Sequence, residues 1–401
     1  MSRRTAWVML LVLISGFALS QAFRTAAAIM APALTQAFDL SKQQLGFFAA
    51  AFHFSFAGLQ LFMGMGIDVY GPRKTILAVF PLAIAGALIT ASARDFTTLV
   101  LGQVFTGIGC APAFLVCTVY IARSFPSGRF AAVNGAALGI GSVGLLLTGT
   151  PLAWVIEEFS WRWGFVCLAV LALAAWLAIL LFVRDDGAAP AERQKLNVMA
   201  ALRGYGELFR LPHTAGIFLL ALTTYSSFMT LRGLWLGPML IDRHAFSLVQ
   251  TGNVALAISV TGMFAAPLFG RLDPGEAKRR RWIVTCALVN AGAFAVMAFS
   301  PGAGVEIALA LAVGLLSGFG SLQYADVRSA YPPRMIGRAM AVFTMALFLG
   351  VALMQWLTGL AASHAAALHL ETYAAVLGSI ALMLLVAAAA FSWLPAPAGT
   401  R

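Results

Sequence analysis

Two arginines lie deep inside long apolar stretches of this 401-residue chain, Arg24 near the start and Arg232 past the middle. A cation at the centre of a membrane-spanning helix costs about 3 kcal/mol on insertion scales, and such groups normally line a substrate path. All 15 acidic residues fall in loops or at helix ends, with Glu306 and Asp326 the deepest. A guanidinium group binds carboxylate or phosphate through two parallel hydrogen bonds. The two arginines therefore predict a site for a small organic anion.

The two arginines occupy equivalent positions and have polar or aromatic neighbours. Arg24 lies 17 residues before Ser41, and Arg232 lies 15 residues before Ser247. Residues three, four or seven apart share a face of a helix, which adds the predicted substrate-binding residues Phe17, Gln21 (or Ser20), Tyr225, Phe228 and Trp235. Alternatively, either arginine pairs with backbone carbonyls or extends its charge to the membrane interface.

Few other residues are candidates for a chemical role. His53 could titrate near neutral pH and carry a proton, or it could pack as a structural residue among the phenylalanines around it. Polar residues within apolar runs, such as Gln323 and Gln355, are expected to form interhelical hydrogen bonds. The sequence shows no nucleotide-binding loop, metal-ligand cluster or nucleophile–base set. We therefore expect a protein without enzymatic activity, cofactor or metal.

The composition predicts a membrane protein made of helices. Hydrophobic residues make up 61% of the chain and charged residues 10%, and the mean hydropathy is +0.89. Helices satisfy their own backbone hydrogen bonds in lipid, and about 20 apolar residues span the hydrocarbon core. Twelve runs meet that length: 6–34, 45–67, 75–93, 97–122, 130–156, 161–183, 213–240, 247–270, 282–300, 304–327, 336–362 and 370–394.

The net charge of +11 follows the predicted topology. Of the 26 Lys and Arg residues, 20 lie at the termini or in every second connection, four lie in the alternate connections and two lie inside helices. Cytoplasmic loops carry such an excess, so we expect a bacterial inner-membrane protein with both termini in the cytoplasm and no nucleic-acid partner. Arg3 and Arg4 could instead belong to a twin-arginine signal, but the apolar run after them is long for a signal peptide.

The chain repeats itself with a shift of 206 residues. Ser41-x-x-Gln44-x-Gly46 recurs as Ser247-x-x-Gln250-x-Gly252. This predicts two pseudo-symmetric six-helix bundles, 1–183 and 212–401, with a cytoplasmic linker at 184–211. The stretch 195–210 mixes basic and apolar residues, so it is either a helix on the membrane surface or a solvated linker.

The loop after the second span carries the most specific motif. Gly64-Met65-Gly66-Ile67-Asp68-Val69-Tyr70-Gly71-Pro72-Arg73-Lys74 closely resembles the G-x-x-x-D-x-x-G-[RP]-[RK]-[RK] loop of the major facilitator superfamily. A degenerate copy, Gly270-Arg271-Leu272-Asp273 followed by four basic residues, lies between spans eight and nine. The resemblance implies the major facilitator fold and gating roles for Gly64, Asp68, Gly71, Arg73 and Lys74. Physically, Asp68 could lie against a helix N-terminus, or it could cap a tight turn.

The resemblance also bears on the substrate. Arginines in spans one and seven are similar to those of the organophosphate and organic-anion porters of the superfamily. Proton-coupled drug antiporters of that family carry an arginine where this chain has Gln103, and a Gly-Pro motif that is blurred here at 139–144. We expect a monomer in the lipid bilayer that moves a small anion by alternating access, with a proton or another coupling ion. The alternatives are a proton-coupled drug efflux antiporter and a non-transporting membrane sensor or assembly factor.

Overall fold

The computed structural model describes residues 3–126, 130–184, 206–299, 302–332 and 335–395, and the secondary structure within them is helical. We number the spanning helices α1 to α12. Their bounds are α1 Arg3–Phe38, α2 Lys42–Tyr70, α3 Pro72–Ala91, α4 Phe96–Ser124, α5 Val133–Glu158, α6 Trp161–Phe182, α7 Thr214–His244, α8 Leu248–Arg271, α9 Glu276–Ala298, α10 Ala303–Ala330, α11 Ile336–Ala367 and α12 Thr372–Trp393.

These helices confirm the predicted fold class. Among the described residues, 11 helices are long and apolar enough to cross a membrane. The twelfth predicted span, 45–67, is covered by the 29-residue helix α2. An all-helical chain is the expected outcome in lipid, because each helix satisfies its backbone groups internally.

Several spanning helices contain local breaks. Helix α7 consists of Thr214–Thr230, a π-helical turn at Leu231–Trp235, and Leu236–His244. Helix α10 tightens into a 3₁₀ turn at Ser317–Phe319. Such irregular turns inside helices often occur at functional sites, and the π-helical turn contains Arg232.

Glycine allows adjacent helices to pack closely. A Cβ atom on Gly86 of α3 would lie 2.5 Å from the backbone nitrogen of Thr106 and 2.6 Å from the carbonyl oxygen of Gly102, both on α4. No side chain fits at that separation, so glycine is required for this contact. Small residues serve the same purpose in membrane helices generally, where close packing replaces the hydrophobic effect as the driving force.

The backbone contacts divide the chain into two compact units. Unit 1 comprises Met1–Asp39, Ala51–Leu196 and Ser247–Leu256, and unit 2 comprises Leu40–Ala50, Asn197–Phe246 and Ala257–Arg401. Each unit therefore includes the first turns of one helix from the other half of the sequence, namely α8 for unit 1 and α2 for unit 2. The predicted domain boundaries at 183 and 212 do not assign the first turns of α2 and α8 to the other unit, and these boundaries stay a prediction.

Most of the predicted linker, 185–205, lies outside the described residues, as does much of the stretch 195–210 that was expected either on the membrane surface or in solvent. The part that is described packs on unit 2. Leu208 is 1% exposed within the core of that unit, and the rings of Phe209 and Phe218 are 5.6 Å apart.

Candidate functional site

Arg24 lies on α1 in the interior of unit 1, with 4% of its surface exposed. Its Nη1 donates to Gln21 Oε1 at 2.6 Å, and its Nη2 donates to Ser20 Oγ at 3.2 Å. The guanidinium carbon lies 4.5 Å from the ring centre of Phe56 on α2, which is a cation–π contact. The helical spacing that grouped Arg24 with Gln21 and Ser20 therefore does bring these three side chains together.

Phe17 and His53 are both buried in unit 1. Phe17 packs its ring 4.8 Å from that of Phe114 and fills the space beside Gly141, where a Cβ atom would lie 2.1 Å from the ring. His53 is 1% exposed, and its ring meets the ring of Phe52 edge-on at 5.0 Å. The sequence predicted aromatic surroundings for His53 and a substrate contact for Phe17; the structure shows each of them buried against a phenylalanine ring.

Arg232 lies in the π-helical turn of α7, in the interior of unit 2. It is 0% exposed, and its Nε donates to Ser259 Oγ on α8 at 3.1 Å. The turn is wider than an α-helix because Leu236 N–H donates back to Leu231 O, five residues earlier. The π-helical turn thus contains one residue more than an α-helical turn, and Arg232 lies within it.

The three aromatic residues predicted beside Arg232 all contact other helices of unit 2. Trp235 is fully buried and donates from Nε1 to Thr358 Oγ1 on α11 at 2.9 Å. The ring of Tyr225 meets that of Phe348 at 5.7 Å, and Phe228 lies beside Gly262. These contacts connect α7 to both α8 and α11, so the segment around Arg232 is held from two sides.

The arrangement around each arginine has a clear electrostatic consequence. A buried cation loses much of its hydration energy, and the neutral oxygens of Gln21, Ser20 and Ser259 restore part of it. Replacing such a partner by a carboxylate or phosphate oxygen would give a stronger, charge-assisted bond. Each unit thus holds one guanidinium whose described hydrogen bonds to neutral groups could be exchanged for bonds to an anion.

The predicted gating residues lie at the junction of α2 and α3. Gly64 and Asp68 belong to the last turns of α2, and the side chain of Asp68 lies outside the described residues. Gly71 has φ 85°, a left-handed conformation that favours glycine. Arg73 donates to the carbonyls of Val183 (2.5 Å) and Leu180 (3.0 Å) at the end of α6.

Arg73 therefore caps a helix C-terminus, where a positive charge is favourable. The resemblance implied a gating role for Arg73 and Lys74, and the capping contact of Arg73 was not predicted. Lys74 is exposed.

The degenerate copy of the motif forms a comparable cluster in unit 2. Arg279 donates from Nε to Asp273 Oδ1 at 3.0 Å and from Nη2 to Asp273 Oδ2 at 2.8 Å. The Arg279 guanidinium lowers the pKa of Asp273 below its usual value. Arg280 lies 3.4 Å from Asp326 and 4.2 Å from the ring centre of Phe391 on α12. Both copies thus bring arginine to the last helix of their own unit, α6 or α12.

Sequence reasoning missed a second ionic cluster in unit 2. It lies at the C-terminal end of α7 and the N-terminal end of α12. It contains Lys42, Asp242, Arg243, His244, Glu306 and Glu371. One signal was available, because Lys42 and Arg243 are two of the four cations in the alternate connections. Their partners could not be found from the sequence, since the six residues of the cluster come from α2, α7, α10 and the start of α12.

Comparisons with known proteins agree with this architecture. The lincomycin resistance protein of Streptomyces lincolnensis is 32% identical over 184 residues, 46% of this chain and 38% of that protein. The D-galactonate transporter of Escherichia coli O6:H1 is 23% identical over 395 residues, 90% of each chain. The crystal structure of a D-xylose–proton symporter matches with a TM-score of 0.77 and 16% identity, covering 97% of this chain and 98% of that one.

The matched segments differ in extent. This chain spans 36–39% of the length of the lincomycin resistance protein and of five other curated relatives. The family model described as Major Facilitator Superfamily matches residues 12–355. This family match confirms the prediction that the chain is not an enzyme. With its spanning helices, its Gly64–Lys74 loop and this match over most of its length, the chain belongs to the Major Facilitator Superfamily.

Proposed function

We propose that this protein is a secondary active transporter that moves a small organic anion, bearing a carboxylate or phosphate group, across the membrane by alternating access. The observation that carries the proposal is an arginine buried midway along a spanning helix of each unit, Arg24 on α1 and Arg232 on α7. Arg24 is 4% exposed and Arg232 is 0% exposed, and both donate hydrogen bonds to neutral side chains. The proposal requires each arginine to contact the substrate at some stage of the transport cycle.

The physical support is the cost of burying a cation, since an anion that binds to the guanidinium would offset part of that cost. The guanidinium fork also selects geometry, because two parallel hydrogen bonds match the two oxygens of a carboxylate or phosphate. Phe56 beside Arg24 adds a face that favours cations and keeps the guanidinium oriented.

A relative aligned along nearly the whole chain supports the anionic substrate. The D-galactonate transporter aligns with 90% of this chain, and galactonate is a carboxylate at neutral pH. We propose that both termini lie in the cytoplasm of a bacterial inner membrane, because 20 of the 26 Lys and Arg residues lie at the termini or in every second connection. A monomer is proposed as the transporting unit.

The Gly64–Lys74 loop is proposed as the gate of the transport cycle. Gly71 reverses the chain between α2 and α3, and Arg73 binds the carbonyl end of α6. Asp68, one turn before Gly71, is the proposed residue that breaks and re-forms a contact as the protein changes state. His53 is retained as the proposed proton carrier, with packing as the competing role.

A second candidate function is efflux of drug-like compounds by proton antiport. The lincomycin resistance protein, 32% identical over 46% of this chain, favours it. Such a transporter would bind hydrophobic cations, whereas two buried arginines repel them. The two functions therefore predict opposite charge preferences in a binding assay.

A thermal-shift screen on the purified full-length chain distinguishes the two functions. We expect carboxylates and phosphate esters, with D-galactonate as the first probe, to raise the unfolding temperature. Hydrophobic cations such as tetraphenylphosphonium should leave it unchanged. The reverse pattern would replace the anion proposal with the efflux proposal.

A further inference from the structure

An ionic cluster at one end of unit 2 has no role in the proposed anion site. Arg243, near the end of α7, donates from Nη1 to Glu306 Oε1 at 2.8 Å. It donates from Nε and Nη2 to the two oxygens of Glu371 at 3.1 and 2.7 Å, and from Nη1 to Met297 O at 3.0 Å. The Arg243 side chain is 6% exposed and that of Glu306 is 0% exposed. A single guanidinium therefore joins α7 to α9, α10 and the start of α12.

His244, the next residue of α7, faces the same buried carboxylate from the other side. Its Nε2 lies 3.0 Å from Glu306 Oε2, while Arg243 donates to Oε1. The Phe246 ring meets the imidazole edge-on at 6.3 Å, and the His244 side chain is 13% exposed. Glu306 is thus held between a permanent cation and an imidazole that a bound proton would make a second cation.

A neighbouring pair of charges in the same unit balances itself. Lys42 Nζ lies 3.1 Å from Asp242 Oδ2, and the Tyr373 hydroxyl donates to the same oxygen. Because one cation faces one carboxylate, this pair contributes no net charge to the cluster.

The rest of the cluster is unbalanced without a proton. Burial alone would raise the pKa of Glu371, but the hydrogen bonds from the Arg243 guanidinium and the Ala374 backbone amide bring it below the usual value, so Glu371 is ionised. Arg243 then faces two carboxylates, those of Glu371 and Glu306. The net charge of these three groups and a neutral His244 is −1, and protonation of His244 makes it zero. An uncompensated charge near a fully buried carboxylate is costly.

We propose that His244 and Glu306 form a proton-binding site, in which a proton on His244 completes the charge balance of this cluster. The ligand is a proton, and the groups that face the site come from α7, α10 and α12. A neutral imidazole could also donate one hydrogen bond to Glu306, so the test must separate a hydrogen bond from a positive charge.

Three forms of the full-length chain make that separation. Wild type has an imidazole at position 244. His244→Gln keeps a neutral hydrogen-bond donor there, and His244→Lys carries a positive charge throughout the pH range of the experiment. Their apparent unfolding midpoints would be followed by tryptophan fluorescence between about pH 6 and pH 8.5, on either side of the histidine range. No substrate is needed, so the result is independent of the anion proposal.

The expected sign follows from linkage. If the folded protein binds this proton more tightly than the unfolded chain, stability is present at low pH and is lost as the pH rises. The wild-type midpoint should therefore fall with rising pH, by on the order of 2–4 °C. His244→Lys should keep the higher midpoint at every pH, and His244→Gln should show the lower one throughout.

Two further variants keep the test decisive. His364→Gln changes an exposed histidine on α11 and should retain the wild-type pH dependence. Glu306→Gln removes one carboxylate, so the cluster is balanced with a neutral His244, and the pH dependence should disappear. The proposal is overturned if either His244→Gln or Glu306→Gln keeps the full wild-type pH dependence, or if the glutamine and lysine variants at position 244 have equal midpoints.

Discussion

Replacing Arg24 by lysine keeps the positive charge and removes the planar fork. In the structure the two terminal nitrogens of Arg24 donate to Gln21 Oε1 at 2.6 Å and Ser20 Oγ at 3.2 Å. A bidentate anion would exchange both neutral acceptors for charged ones. Each of these bonds has the charged guanidinium as its donor, and such a bond contributes about 1.5–3 kcal/mol. An ionised acceptor adds Coulomb attraction to each bond.

Lysine offers a single direction of approach to the anion, so the variant loses one of the two bonds completely. The expected weakening is about 1.5–3 kcal/mol, or about 10- to 150-fold in Kd. Arg232→Lys should weaken binding at least as much, because Arg232 is fully buried and a compact ammonium cannot hold both Ser259 and an anion. The double variant should bind more weakly than either single one.

Calorimetry on the purified protein measures these changes, with D-galactonate or the strongest anion from the thermal-shift screen as the probe. Arg162→Lys is the matched control, because Arg162 is an exposed arginine at the start of α6 whose described contacts are the Trp161 ring at 4.1 Å and the Ala93 carbonyl. The unfolding temperature without ligand is recorded for every variant to detect damage to the fold. If Arg24→Lys and Arg232→Lys both bind within about twofold of wild type, a change below about 0.4 kcal/mol, the anion site lies elsewhere.

Four other changes test separate parts of the reasoning. Asp68→Asn should shift the protein toward inward-facing states and lower turnover; unchanged periplasmic cysteine labelling with normal transport would exclude Asp68 from gating. His53→Gln should abolish pH-dependent uptake but keep counterflow if His53 carries protons, and a wild-type pH profile would make it a packing residue. Because its arginine partner lowers the pKa of Asp273, that carboxylate stabilises the fold above about pH 4 and loses this effect as the pH falls; Asp273→Asn should flatten the acid limb of a stability–pH curve. Gly86→Leu should cost about 1–3 kcal/mol through overpacking against α4, measured as a lower unfolding temperature, whereas Gly58→Ala, with open space around its Cβ position, should not.

The helices were the predictable part of this molecule. Apolar runs of about 20 residues have one stable conformation in lipid, so twelve runs predicted the helical spans and the Gly64–Lys74 loop predicted the family. Local departures from the α-helix were not predictable in this way. The π-helical turn around Arg232 depends on how α7 packs within unit 2. The segment Leu231–Trp235 contains no proline that would indicate an irregular turn from the sequence.

The two arginines differ in the local winding of the helices that contain them. On α1 the chain is a regular α-helix, so the three- and four-residue spacing of Gln21 and Ser20 from Arg24 places all three together. On α7 the winding changes at Arg232 itself, and Trp235, three residues further on, donates from its indole to Thr358 on α11. The predicted common face of Arg232 and its aromatic neighbours stays a prediction.

The distribution of basic residues contains more information than topology alone. The positive-inside rule accounts for the 20 Lys and Arg residues at the termini and in alternate connections, and it leaves four exceptions. Three of these are held by described partners: Lys42 by Asp242, Arg162 by the Trp161 ring, and Arg243 by Glu306 and Glu371. A cation on the sparsely charged side of a membrane protein opposes the topological signal, so it is expected to persist where it has a structural role. Two of the four exceptions, Lys42 and Arg243, belong to the ionic cluster of unit 2, and their partners can be identified only from the fold.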